Sequence, residues 1–293
     1  MARRAKAGAG EASGDGADVL RSGEALLSYF GLSGRLSAQG DVKGASHTEA
    51  AVRIIRDRIL DLTLPPGSRI DDQLMMRRFR MGRTPAREAF NRLSAEGLIV
   101  IQRNRGAFVR PIDLAHVQQF FDAYIASERL VGYFCRLDDA SLAGDLQAIQ
   151  ADYLRAYAKR EFDQMTRMNA RLHGRIAIAT RNEYVAENAF RLYNHARRLS
   201  YFVSVMEKDF FRGLHETQAM IRADHTRILE VVRRRDNVRL VDILTRHAGM
   251  FHDRVMRIAG STRGAGAPLP VPAPEADAAR APRRRRGGRR GTG

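Results

Sequence analysis

Arg83–Leu93 reads RTPAREAFNRL. Arg83 and Arg87 are four residues apart and share one face of a helix. Ala86, Phe90 and Leu93 recur at i, i+4, i+7 and form a second, apolar face. Pro85 suits a first helical turn, where the missing N–H costs nothing. Gly97 ends the segment with left-handed geometry. Such a helix buries its hydrocarbon side in a small domain and shows guanidinium forks outward, as a DNA groove requires. The reading needs both guanidiniums to point outward rather than onto the protein's own carboxylates.

The flanking residues extend the pattern. Upstream, Thr48 to Leu62 places Val52, Ile55, Ile59 and Leu62 at helical spacing. Pro65-Pro66-Gly67 forces a turn, and Asp71 or Asp72 caps a second helix that runs to about Phe79. Downstream, Leu98–Gln102 and Ala107–Arg110 read as strands around the tip RNRG, where Gly106 supplies the turn. Three helices and a basic hairpin make a winged helix-turn-helix over residues 47–111. Thr84, at the helix start, offers its hydroxyl and free backbone N–H groups to a phosphate. Arg77, Arg78 and Arg80 precede the helix, and Arg103 and Arg105 occupy the wing tip. All five can add phosphate contacts. An isolated Arg-x-x-x-Arg pair would be an ordinary solvated face; the order of elements around this one argues for DNA.

The chain has 293 residues, room for about two domains, and 44% hydrophobic content, enough for proper cores. Net charge is +17, and residues 281–293 alone carry six arginines. That balance suggests a polyanionic partner. The bland alternative is a solvated basic surface with one very basic tail. The single cysteine, Cys135, excludes an intrachain disulfide framework, fits a reducing cytoplasm and reads as a small buried hydrophobe. No apolar stretch follows the N-terminal charges, and no run approaches the ~20 residues a bilayer requires. The expectation is a cytoplasmic, nucleoid-associated protein with no membrane partner.

Residues 1–46 are Gly-, Ala- and Ser-rich and read as a disordered arm, with room for one short helix in the apolar patch Ala25–Leu32. Residues 262–293 read as a disordered basic tail that adds non-specific phosphate affinity. Between Pro111 and residue 261 the pattern is helical, in six or seven segments: 113–137, 140–159, 161–180, 182–195, 197–213, 215–235 and 237–259. The fold class is therefore mainly α: a winged helix-turn-helix followed by an all-helical bundle over residues 112–261.

Arg69–Leu98, with Pro66-Gly67 before it and Arg105-Gly106 to Val109 after it, resembles the DNA-binding domain of the GntR family of bacterial transcription regulators. The resemblance implies that Arg83, Thr84 and Arg87 touch double-stranded operator DNA and that Gly106 lets the wing approach the minor groove. There are departures. Gly82 replaces a Ser or Thr cap, Arg80 replaces a turn glycine, Met75-Met76 replace Leu-Ala, and Gln73 stands where some members place a DNA-contacting arginine.

Three histidines of the helical part lie on apolar stripes. His173 accompanies Met165, Met168, Leu172 and Ile176, with Asn169 one turn earlier. His225 accompanies Ile221, Ile228 and Val232, and His247 accompanies Leu240, Leu244 and Phe251. They could converge on one divalent metal, although spacing alone reads more simply as satisfied core histidines. His195, His215 and His252 read as surface or supporting groups, and His116 lies near the domain junction. Leu114–Gly260 resembles the all-helical FCD ligand-binding domain of the FadR subfamily. That resemblance implies a Zn or Ni site built from Asn169, His173, His225 and His247. It also implies a small organic acid effector on the open coordination positions, and a homodimer. Tyr124 stands where many members carry an effector-binding arginine; Arg171 and Arg198 are possible substitutes. No general base or nucleophile stands beside the histidines, so an enzyme is not expected. The rival reading is an architectural nucleic-acid binder indifferent to sequence.

Overall fold

The computed structural model describes residues 23, 25–30, 32, 46–210 and 214–261. Helix α1 (His47–Leu60) starts at a capping box. Ser46 Oγ accepts from Glu49 N–H, and Glu49 Oε2 accepts from Ser46 N–H. Its buried side carries Val52, Ile55 and Ile59 and packs on the arginine helix. Leu62, expected on the same stripe, takes φ 60° beyond the helix and joins the core of the helical domain instead.

After Gly67 (φ 77°), Arg69–Ile70 form a short strand, β1. Asp71 caps α2 (Asp72–Phe79) by accepting from Leu74 N–H at 2.8 Å. Arg80 ends α2 in the left-handed region, at φ 53°, where a glycine would be unstrained. Helix α3 (Arg83–Ala95) starts at Gly82, with no side-chain cap, and buries Ala86, Ala89, Phe90 and Leu93. Gly97 takes φ 78°, and Leu98 N–H returns to Leu93 C=O, closing the helix. Strands β2 (Ile99–Gln102) and β3 (Gly106–Val109) pair in antiparallel register from Ile99↔Val109 to Gln102↔Gly106. The wing gains a third strand, because β1 pairs with β3 on its other side.

The helical part comprises α4 (Leu114–Phe134), α5 (Leu142–Ala158), α6 (Phe162–Ile178), α7 (Glu183–Phe210), α8 (Leu214–Arg234) and α9 (Asn237–Ser261). The principal pairings are α4 with α9, α6 with α7 and α5 with α6. The break expected between segments 182–195 and 197–213 is absent: Glu183–Phe210 is one continuous helix, α7. Around residue 196 the helix lies against the winged head, where His195, Arg197 and Arg198 reach Glu96 C=O, Asp57 and Arg110 C=O. Two apolar cores result. One holds residues from Ala51 to Val109, and the other includes Ile112 and residues through Ile258.

Residues 25–29 form a helical turn within the apolar patch, and they dock onto the folded part. Phe30 stacks on Phe190 at 5.4 Å, Leu32 is buried, and the Arg56 guanidinium donates to Tyr29 C=O. Most of the N-terminal arm, and the basic tail with all its arginines, lie outside the described residues. Among the described residues, no helix is long and apolar enough to cross a membrane.

Candidate DNA-reading surface and histidine site

Arg83, Thr84 and Arg87 are exposed on the first turns of α3, and Arg77 is exposed on α2. The start of α3 leaves its first backbone N–H groups open, because Gly82 contributes no side-chain cap. Arg103, Arg105 and Gly106 are exposed at the wing tip, where Gly106 takes φ 99°, a conformation that strains any side chain.

One guanidinium differs from the sequence expectation. Arg87 Nε donates to Asp72 Oδ2 at 2.8 Å, and one Nη lies 2.7 Å from the same oxygen. Arg87 thus rests one edge on a carboxylate of its own protein. Its side chain is nevertheless 72% exposed, against 18% for Asp72. The hydrogen bond that the guanidinium donates to Asp72 raises its pKa above the usual value, so the charge is kept.

The second site lies inside the helical domain. Helices α6, α8 and α9 bring His173, His225 and His247 together, all buried, with one ligand atom from each lying within 4.8 Å of the others. Each Nδ1 has an oxygen partner: Glu128 for His173 at 2.8 Å, Gln150 for His225 at 2.7 Å and Asp224 for His247 at 3.2 Å. Imidazoles that bind a metal through Nε2 are oriented by such an acceptor on the opposite nitrogen. Asn169 Oδ1 lies 2.9 Å from His225 Nε2.

Three features test the fit to a cation. His173 Nε2 is buried with no hydrogen-bond partner, a state that ordinarily costs ~1–3 kcal/mol. Glu128 is fully buried with its Oε2 against His173 Nδ1, the place of a carboxylate that orients a ligating imidazole. With its Nδ1 proton on Gln150, His225 turns an Nε2 lone pair toward Asn169. Either the amide turns its NH2 to that nitrogen or a cation sits between two acceptors. Burial, reinforced by His247 and His173, pushes the His225 pKa well below its usual value. Burial lowers that of His247 despite the opposing pull of Asp224. Neutral imidazole is the form that ligates a metal. The donor set fits a divalent ion of the Zn or Ni type.

A cavity of about 190 Å³ opens beside this cluster, lined in part by Asn169, His247, Tyr124, Ser200, Ser204 and Arg254. Tyr124 is buried, stacks on Phe120, and has its pKa raised well above the usual value by burial and then by Glu128. Arg171 and Arg198 do not line the cavity. Arg171 sits two positions from both Asn169 and His173, on the other side of α6. Arg198 is likewise off the α7 face formed by Ala196, Ser200 and Ser204. The pattern did not single out Arg254, and Glu207 already holds its guanidinium by two contacts, at 2.8 and 2.7 Å.

Arg198 belongs to the junction between the two parts. It donates to Arg110 C=O at 2.6 Å, and burial followed by the nearby Arg110 charge pushes its pKa down to about 9. Asp57 of α1 pairs with Arg167 of α6 and Arg197 of α7, each at 3.2 Å, and Arg197 also reaches Asp163 at 2.6 Å. His195, read from sequence as a surface or supporting group, is a half-buried junction residue whose Nε2 donates to Glu96 C=O at 2.9 Å. His116 is exposed and pairs with Asp113, the cap of α4. The side chain of His215 lies outside the described residues.

Burial pushes the His195 pKa down to about 4. Between the ordinary imidazole value near 6.5 and about 4, the unfolded chain takes up a proton that the folded chain refuses. Stability supplied by this site is therefore complete above pH ~6.5 and is lost as pH falls toward 4, by a few kcal/mol at most. Urea titrations at pH 7 and pH 5 should show a smaller acid loss for His195→Gln than for wild type. Equal losses would assign the acid sensitivity elsewhere.

A three-helix head with a basic wing, carried by a helical domain with its own pocket, defines a DNA-binding transcription regulator. Residues 47–109 match the family model for bacterial regulatory proteins of the gntR family, and residues 128–250 match the model for the FCD domain. The chain thus carries a DNA-binding domain of the GntR type and an FCD domain, the combination found in FadR-like regulators. It is 28% identical over 115 residues to an HTH-type regulator from the TAR-I ttuE-ttuC' intergenic region of Agrobacterium vitis. That match spans 39% of this chain and 67% of the relative. It is 38% identical over 66 residues to the HTH-type transcriptional repressor RspR of Escherichia coli K12, spanning 22% of this chain but only 29% of the repressor. A solved GntR regulator from Rhodococcus sp. RHA1 superposes with a TM-score of 0.60 at 20% identity, covering 75% of this chain and all of the other. E. coli McbR/YncC gives 0.60 at 14%, covering 73% and 99%. At these identities the two structures show the fold. The families and relatives matched are transcription regulators, not enzymes.

Proposed function

We propose that the chain is a cytoplasmic, ligand-responsive regulator that binds an operator as a homodimer, with two winged heads on half-sites related by a two-fold axis. Asn169, His173, His225 and His247 hold a divalent ion, Zn or Ni. The ion supplies a Lewis-acidic anchor for a small organic acid in the adjoining cavity. Tyr124, Ser200 and Ser204 contribute hydroxyl groups there, and the methionine-lined wall excludes water. Arginines of the tail add a sequence-independent phosphate term.

The observation that carries this reading is the path from pocket to head. Helix α6 bears Asn169 and His173 and also Arg167, which pairs with Asp57 of the winged head. A ligand that favours one position of α6 therefore favours one placement of the head. The test is competition by random duplex DNA, run with and without organic acids that raise the melting temperature of the Zn-loaded protein. Complexes on selected operator sequence should survive competitor, and the acid should change their affinity. Equal loss of all complexes to competitor would favour the architectural reading.

A further inference from the structure

The contact between Asp72 and Arg87 joins the two helices of the helix-turn-helix, and neither the cap nor the core of α2 needs it. Asp71, not Asp72, accepts from Leu74 N–H at the start of α2. Met75, not Asp72, is the residue of α2 buried in the head core. In the first turn of α2, the Asp72 carboxylate turns to the guanidinium: one oxygen, Oδ2, takes Nε and the neighbouring Nη. That is the side edge of the fork. Arginine has five N–H donors, and the pair on its end edge remains available. The end edge is the one that can meet O6 and N7 of a guanine in the major groove. Held by its side edge, a long side chain with many rotamers is already ordered before DNA arrives, and less ordering is left for the complex to impose.

We propose that Asp72 is a positioning residue for DNA reading: it holds Arg87 so that its end edge faces a base, and it thereby sets operator specificity rather than general affinity. The inference rests on the operator-binding reading above. It opposes a simpler account in which Asp72 competes with DNA for Arg87 and repels phosphate. The two accounts differ in sign. A carboxylate near the backbone weakens phosphate binding, so its removal by itself tightens binding to every sequence. A carboxylate that orients a reading arginine loses discrimination when removed.

The experiment uses the full chain. An operator is first selected by the wild type from a random duplex library. Dissociation constants for that operator and for random duplex are then measured at one salt concentration for wild type, Asp72→Asn, Asp72→Glu, Arg87→Ala and the Asp72→Asn/Arg87→Ala pair. Asp72→Asn should cut the operator-to-random ratio about tenfold while leaving random-DNA binding unchanged or tighter. Asp72→Glu, which restores the charge, should recover most of the ratio. In the Arg87→Ala background, Asp72→Asn should change the ratio no further. An unchanged or improved ratio in Asp72→Asn, with wild type still selective, overturns the inference alone. A wild type that selects no sequence overturns the operator reading together with it. Should Asp72→Asn unfold, as judged by circular dichroism, failure of Asp72→Glu to retain more of the ratio than Arg87→Ala overturns the proposal.

Discussion

Arg87→Ala should abolish competitor-resistant operator binding while leaving the fold intact. The side chain lies outside the head core and makes its one ion pair at the surface. A bidentate arginine–guanine contact discriminates by about ten- to a hundredfold in affinity. A dimer with one such contact in each half-site loses the square of that factor. Binding to random DNA should fall far less, with the salt slope reduced by about one per phosphate contact removed. Dissociation constants for operator and random duplex, measured over a salt series, separate the two effects. A retained operator footprint would remove α3 from its assigned role.

The second large effect concerns the buried cluster. His225→Ala combined with His247→Ala removes two of three imidazoles and should reduce bound metal to background by elemental analysis. Chelator should lower the melting temperature of the wild type, because an ion bound only by the folded state stabilises it. The double variant should show no such response. Equal metal content in wild type and double variant would reject the site. Loss of metal with unchanged operator affinity would separate the metal from DNA regulation.

The arginine helix was legible because its signals are local. Its apolar and cationic faces repeat within one segment, and Gly97 marks its end. The strand Arg69–Ile70 was not legible: two residues show no alternation, and the strand exists only because β3 offers a free edge. Sequence divides α7 into two pieces between residues 195 and 197; in the structure Asn194, Arg197 and Arg198 there are buried and His195 is half-buried. The polarity of Arg197, His195 and Arg198 serves the junction, where Asp57, Glu96 C=O and Arg110 C=O receive them. The same ambiguity made Arg198 an effector candidate, since sequence does not say which of two buried environments a charged residue enters.

The histidines were visible as interruptions of apolar stripes. Their oxygen partners Glu128 and Gln150 were not, because they lie 45 and 75 residues away along the chain and no periodicity links them. Asp224 stood beside His225 in sequence, yet it serves His247 across a helix pair. The patch Ala25–Leu32 was recognisable as apolar, and the ring that receives it, Phe190, had no sequence signature.

The exposed face at the start of α3 is assigned to reading bases in a symmetric operator. Methylation interference on the selected operator tests it most directly, because a methyl group on guanine N7 blocks an arginine fork. Two clusters of interference should appear, related by a two-fold axis and centred about one helical turn apart, each containing a guanine whose effect disappears in Arg87→Ala. Uniform weak interference along the duplex, identical in wild type and Arg87→Ala, would contradict it.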